Sequence, residues 1–211
     1  MRQPDITPRG DSERLRKPER LSKDAINTLP LFYYEGQIEV IRTPEGAQAA
    51  ASVLRNAPVL GFDTETRPSF RKGKTYPPSL VQFAVPERVY IFQLSAEVSL
   101  EGPLVEILGN SGIHKVGVAI QDDCRFLAKL HPFEPAGLVD LGGLARRGGV
   151  AEQGLRGLAA HFLGLRISKG EQCSNWSVKN LTPKQIRYAA TDAWVSLEVY
   201  RRMAELGFLE L

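Results

Sequence analysis

Residues 59–65 read Val-Leu-Gly-Phe-Asp-Thr-Glu, an apolar strand that ends in two acids. Residues i and i+2 of a strand point to one face, so the carboxylates of Asp63 and Glu65 converge. Acids are poor strand formers and like charges on one face repel, so this placement needs compensation. A divalent cation supplies it. A solvated strand end also supplies it, and is the commoner arrangement for an isolated D-x-E.

Two further segments carry acids in marked positions. Ile120–Leu130 (IQDDCRFLAKL) has the period of a helix, with Ile120, Cys124, Leu127 and Leu130 as its buried stripe. Asp123 falls on the edge of that stripe, aimed at the sheet, while Asp122 projects away. The favourable dipole of a first turn also accounts for acids at both positions. The last helix has a clear start: Thr182 as N-cap, Pro183 at the first helical position and Gln185 completing a T-x-x-Q capping box. It runs without Gly or Pro from Lys184 to about Leu206. Within it, Tyr188 and Asp192 share a face. An acid in mid-helix is a mediocre helix former, and a buried one without a partner is expensive, so a cation is its natural companion.

The remaining pattern fixes the fold class. Strands are predicted at Gln37–Ile41, Leu80–Val85, Val89–Leu94 and His114–Val118, with a short apolar run at Leu138–Leu141. The second and third of these form an antiparallel hairpin through Pro86–Arg88. Helices are predicted at Pro44–Asn56, Leu104–Leu108 and Leu155–Leu163. The expected class is α/β, with a mixed five- to six-stranded sheet flanked by helices. The chain has 211 residues, 43% hydrophobic and 24% charged, which fits one large domain and argues against disorder or a fibrous repeat. Residues 1–30 hold seven Lys/Arg, five acids and no aromatic, and read as a loosely ordered charged extension before a domain at 31–211. A weak nucleic-acid-contacting arm is the sharper reading of that stretch.

The net charge of +3 decides little. No apolar run reaches the roughly 20 residues needed to cross a bilayer. The opening MRQPDITPRG lacks the apolar core of a secretory signal, and only two cysteines occur, Cys124 and Cys173. A membrane protein, a disulfide scaffold and a cysteine-type zinc site are thereby excluded, and a cytoplasmic setting is expected.

Taken together, Asp63, Glu65, Asp123, Tyr188 and Asp192 resemble the signature of the DEDDy-type 3′–5′ exonucleases. That family is the ribonuclease D and Werner-syndrome exonuclease branch of the ribonuclease H-like fold. Gly61–Lys74 (GFDTETRPSFRKGK) is similar to its first motif and the loop after it, His114–Leu127 (HKVGVAIQDDCRFL) to its second, and Cys173–Tyr200 to its third. The resemblance spans about residues 35–205. It implies a ribonuclease H-like fold and two divalent cations, Mg²⁺ or Mn²⁺, with Asp63, Glu65 and Asp192 as direct ligands. Asp123 would hold the second ion, and Tyr188 would orient the attacking water. Oxygen ligands suit such hard ions, and a pair of them roughly 3.5–4 Å apart stabilises both the attacking and the leaving oxygen of a phosphodiester.

The implied activity is removal of nucleoside 5′-monophosphates from single-stranded or frayed 3′ ends of DNA or RNA. The alternatives are a catalytically weak nucleic-acid-binding protein, and a phosphodiesterase of very short oligonucleotides using the same site. The substrate contacts expected beside the acids are Thr64 and the loop residues Arg67, Arg71, Lys72 and Lys74, which would clamp phosphates. A solvated charged loop explains those four equally well. Phe70 would stack on a terminal base. Trp176 would either do the same or anchor the loop before the last helix. The chain ends at Leu211 without the C-terminal helical domains of classical ribonuclease D enzymes, which leaves RNA against DNA open.

Overall fold

The computed structural model describes residues 20–71, 73 and 75–210. Its elements run α1 (Lys23–Thr28), β1 (Leu31–Phe32), β2 (Gln37–Ile41), α2 (Pro44–Leu54), β3 (Val59–Thr66), β4 (Pro78–Val85), β5 (Arg88–Gln93), α3 (Pro103–Gly109), β6 (His114–Gly117), α4 (Ile120–Leu127), β7 (Leu138–Asp140), α5 (Leu141–Arg147), α6 (Leu155–Leu158), β8 (Arg166–Ile167) and α7 (Pro183–Glu205). A π-helical turn, Ala159–Leu163, continues α6.

The main sheet has six strands in the order β2-β5-β4-β3-β6-β7, inside the predicted range, and β1 pairs with β8 in a separate two-stranded ribbon. The β3–β4 and β4–β5 pairs are antiparallel and the other three pairs parallel, so the sheet is mixed. Two apolar layers cover it. One face packs against α7, with Leu80, Ala84, Ile91 and Val116 meeting Ala189, Ala190 and Ala193. The other, built on Leu60, Phe62, Val81, Phe83 and Phe92, packs against α2, α3 and α4.

The predicted starts of α2 and α7 are present. Thr43 accepts from the Gly46 N–H ahead of Pro44. In α7 the Thr182 side chain accepts from the Gln185 N–H while the Gln185 side chain accepts from the Thr182 N–H. Helix α4 differs: it ends at Leu127, and Leu130, read as part of its buried stripe, is exposed. Beyond Leu127 the chain tightens into i→i−3 turns, with the Lys129 N–H donating to the Phe126 carbonyl and the Leu130 N–H to that of Leu127. At the start of α4, Ala119 adopts a left-handed φ of +59°, and its N–H donates to Asp140 Oδ2 at 2.6 Å. Four elements have no counterpart in the sequence reading: α1, β1, β8 and α5. Of the stretch read as a loose extension, residues 1–19 lie outside the described ones, while Ser22 caps α1 and the Leu21 N–H donates to Glu152.

Candidate active site

Strand β3 runs down the centre of the sheet beneath α7. Gly61 makes their contact possible: a Cβ there would lie 2.1 Å from the Ala193 carbonyl oxygen. With Gly61 facing α7, alternation puts Asp63 and Glu65 on the same face. Helix α7 answers with Tyr188 and Asp192, one turn apart. One oxygen from each of Asp63, Glu65 and Asp192 lies within 4.8 Å of the others, and no other such cluster occurs among the described residues. Glu65 and Asp192 are each only 8% exposed.

Three acids this close cannot all ionise without a counter-charge. Burial, then the neighbouring Asp192 and Asp123, push the Asp63 carboxyl well above its usual range. Burial followed by Asp63 and Asp192 raises Glu65 strongly. Burial lifts Asp192 to about 7, with the Tyr188 phenol pulling it the other way. Tyr188 is raised by burial and by the carboxylates around it, so it keeps its proton at neutral pH. Asp192 Oδ1 is buried with no hydrogen-bond partner. An all-carboxylate set with an orphaned, desolvated oxygen fits a hard divalent cation, which would relieve both the repulsion and the missing partner.

Asp123 stands apart from these three. Its Oδ1 accepts a 2.8 Å hydrogen bond from Thr64 Oγ1, and burial raises its carboxyl to about 6. Thr64, expected as a substrate contact, is thus engaged with Asp123. Asp122 points away and pairs with Arg125 at 2.7 Å.

The other expected contacts divide. Phe70 is 90% exposed, open to stack on a base. The Arg67 guanidinium lies over the Tyr76 ring at 4.9 Å, and Arg71 is exposed. Lys72 and Lys74 lie outside the described residues. Trp176 is 0% exposed and packs 5.9 Å from the Tyr188 ring, a placement that suits a loop anchor.

A cavity of about 470 Å³ adjoins Tyr188 and Asp192. Arg20 and Lys23 from the N-terminal segment line it together with Arg156 and Lys169. Asp192 thus shares a cavity with four cations and one further acid, Glu152, a wall of net positive charge that would attract a phosphate chain. Its four cations come from three distant segments, so the sequence, which offered the N-terminal stretch as a possible nucleic-acid-contacting arm, did not show that they converge.

The comparisons with known proteins agree with this geometry. The 3′–5′ exonuclease family profile matches residues 38–207. The chain is 33% identical over 159 residues to mouse bifunctional 3′–5′ exonuclease/ATP-dependent helicase WRN, covering 73% of this chain and 11% of that protein. It is 31% identical over 169 residues to ribonuclease D of Gluconacetobacter diazotrophicus, covering 79% and 42%. Among solved structures it resembles the Aedes aegypti Nibbler EXO domain (TM-score 0.74, 23% identity, 85% of this chain and 94% of that one). It also resembles Escherichia coli RNase D (TM-score 0.71, 24% identity, 81% and 45%), and these two likenesses bear on the fold. The chain belongs to the 3′–5′ exonuclease family, whose members are hydrolases of phosphodiester bonds. It spans less than half the length of the curated relatives named here.

Proposed function

We propose that this chain is a two-metal-ion 3′–5′ exonuclease that releases nucleoside 5′-monophosphates from the 3′ end of a single or frayed strand of DNA or RNA. The observation that carries the reading is the convergence of Asp63, Glu65 and Asp192 within 4.8 Å, desolvated and mutually repelling. These three would hold the divalent ions, Mg²⁺ or Mn²⁺, with Asp123 contributing to the second. When bound, such ions neutralise the phosphate and activate water for attack on phosphorus.

The chain's own groups do the rest. The Tyr188 phenol, protonated at neutral pH, is a hydrogen-bond donor that orients the attacking water or a phosphate oxygen rather than a base. Arg20, Lys23, Arg156 and Lys169 attract the backbone of the incoming strand into the cavity beside it. Phe70 offers its ring to a base. The catalytic domain is assigned to residues 31–211, with part of the preceding segment contributing to the substrate wall. A cytoplasmic setting is included in the proposal; the exposed free thiol of Cys173 suits a reducing compartment.

The test is a 5′-labelled oligonucleotide assay with Mg²⁺ or Mn²⁺, run on single-stranded RNA, single-stranded DNA and a duplex with a recessed 3′ end. A ladder shortening by single nucleotides, absent with EDTA and in Asp63→Ala, supports the reading and names the substrate. Intact substrate with binding retained moves the assignment to a nucleic-acid-binding protein, or to an enzyme of very short oligonucleotides.

A further inference from the structure

Gln82 lies in the middle of β4, in the run Pro-Ser-Leu-Val-Gln-Phe-Ala-Val, and is 0% exposed. Neither its Nε2 nor its Oε1 has a hydrogen-bond partner. A buried amide that makes no hydrogen bond is a cost to the fold, and an apolar side chain of the same size would remove it. Its position indicates what it is kept for. Gln82 is the direct cross-strand partner of Asp63 on one side and of Ile91 on the other. Leu80 and Ala84, which share its face, belong to the layer packed on α7, so Gln82 faces α7 beside Asp63. Directly opposed residues of an antiparallel pair have Cβ atoms about 4.5–5.5 Å apart, within reach of a glutamine amide.

We infer that Gln82 is a positioning residue for Asp63, its side-chain amide donating to the Asp63 carboxylate when that carboxylate ligates a divalent cation. The chemistry suits the place. Ligating carboxylates are themselves held by hydrogen bonds from outside the coordination shell. A lysine or arginine there would compete with the cation, and a glutamate would add a further negative charge. A neutral amide donor orients the carboxylate and leaves its charge for the metal. The inference rests on the reading of Asp63 as a metal ligand.

The test compares wild type, Gln82→Met and Gln82→Asn by Mn²⁺ titration, following the signal of free Mn²⁺ by electron paramagnetic resonance, and by the melting midpoint of the metal-free protein. Gln82→Met removes the amide at nearly constant volume. Mn²⁺ affinity is expected to fall about 10- to 100-fold, while the metal-free midpoint rises by about 2–6 °C as the unpaired amide is removed. Gln82→Asn keeps the amide but withdraws it by one methylene, and its Mn²⁺ affinity is expected to fall likewise; it decides the matter if Gln82→Met does not fold. With oligonucleotide substrate, kcat is expected to drop at unchanged KM. Wild-type Mn²⁺ affinity in either folded variant overturns the inference and leaves Gln82 a packing residue. A wild-type protein that binds no Mn²⁺ overturns instead the metal reading beneath it.

Discussion

Thr64 Oγ1 donates a 2.8 Å hydrogen bond to Asp123 Oδ1, tying the acid of α4 to the strand between Asp63 and Glu65. The bond favours the ionised carboxylate, against the burial that lifts Asp123 to about 6. Thr64→Val removes the bond at nearly constant shape, so the Asp123 carboxyl rises further. The acid limb of the kcat/KM profile is then expected to move to higher pH, with a loss of about tenfold at pH 7, the size expected when a hydrogen bond to a charged group is lost. Thr64→Ser keeps the hydroxyl and is expected to stay near wild type. An unchanged profile in Thr64→Val contradicts the role given to this contact.

The three-acid cluster makes metal-free stability depend on pH in a direction that can be worked out. Asp63, Glu65 and Asp192 have carboxyls raised in the folded state, so between the unfolded value near 4 and the folded value the native protein holds more protons than the unfolded one. Their contribution to stability is present below pH 4 and lost as pH rises, for Asp192 through about 7. Calorimetry in EDTA is expected to give a lower midpoint at pH 8 than at pH 5.5. Mn²⁺ at about 100 times its Kd is expected to raise the midpoint at pH 8 by about 5–10 °C, and by less at pH 5.5, where protons compete.

Lys115 is buried, and its ammonium donates to the carbonyls of Ile107 (3.0 Å), Asn110 (2.7 Å) and Ile113 (2.6 Å), closing the C-terminal end of α3. Lys115→Met orphans these acceptors and is expected to cost about 2–4 kcal/mol in denaturant unfolding. Burial pushes the folded ammonium down to about 8. From there to the unfolded value near 10.4 the unfolded chain binds more protons, so this group's contribution grows with pH in that window. The gap between wild type and Lys115→Met should widen accordingly.

Gly61→Ala places a methyl 2.1 Å from the Ala193 carbonyl oxygen, so β3 and α7 must separate. Since β3 carries Asp63 and Glu65 and α7 carries Asp192, the expected result is loss of most Mn²⁺ affinity together with about 3 kcal/mol of stability. A variant as stable as wild type, with full metal affinity, contradicts the close contact.

The basic wall predicts a different kinetic signature. Arg20→Glu with Lys23→Glu is expected to raise KM for a single-stranded oligonucleotide about tenfold at low salt with kcat unchanged. The double variant should also flatten the salt dependence by roughly 0.7 log unit per lost phosphate contact. Equal KM values place these side chains outside the path of the strand.

The sequence carried the frame of the molecule where local signals were strong. The Thr182–Gln185 capping box fixed the start of α7, and the alternation around Val59–Glu65 put two acids on one face. The short elements were illegible for a physical reason. β1 and β8 are two residues each and owe their pairing to long-range register, while α5 begins Leu-Gly-Gly and depends on its Asp140 cap. Asp140 was itself passed over, although it holds both that cap and the strained Ala119 turn. Gln82 was equally readable in principle: a lone amide inside a run buried on both faces breaks the pattern, and its cross-strand partner emerges only from the register. Trp176 carried two readings, base stacking and loop anchor, because the sequence does not report which face of an aromatic the fold covers.

The most direct test of the account is the first product released from an oligonucleotide labelled at its 3′-terminal nucleotide, with Mn²⁺, by wild type and Asp63→Asn. Wild type is expected to release the label at once as a nucleoside 5′-monophosphate, and Asp63→Asn to release it at least 10³-fold more slowly, as for loss of a group acting on the transition state. Label appearing first in longer fragments, or release by Asp63→Asn at the wild-type rate, would contradict it.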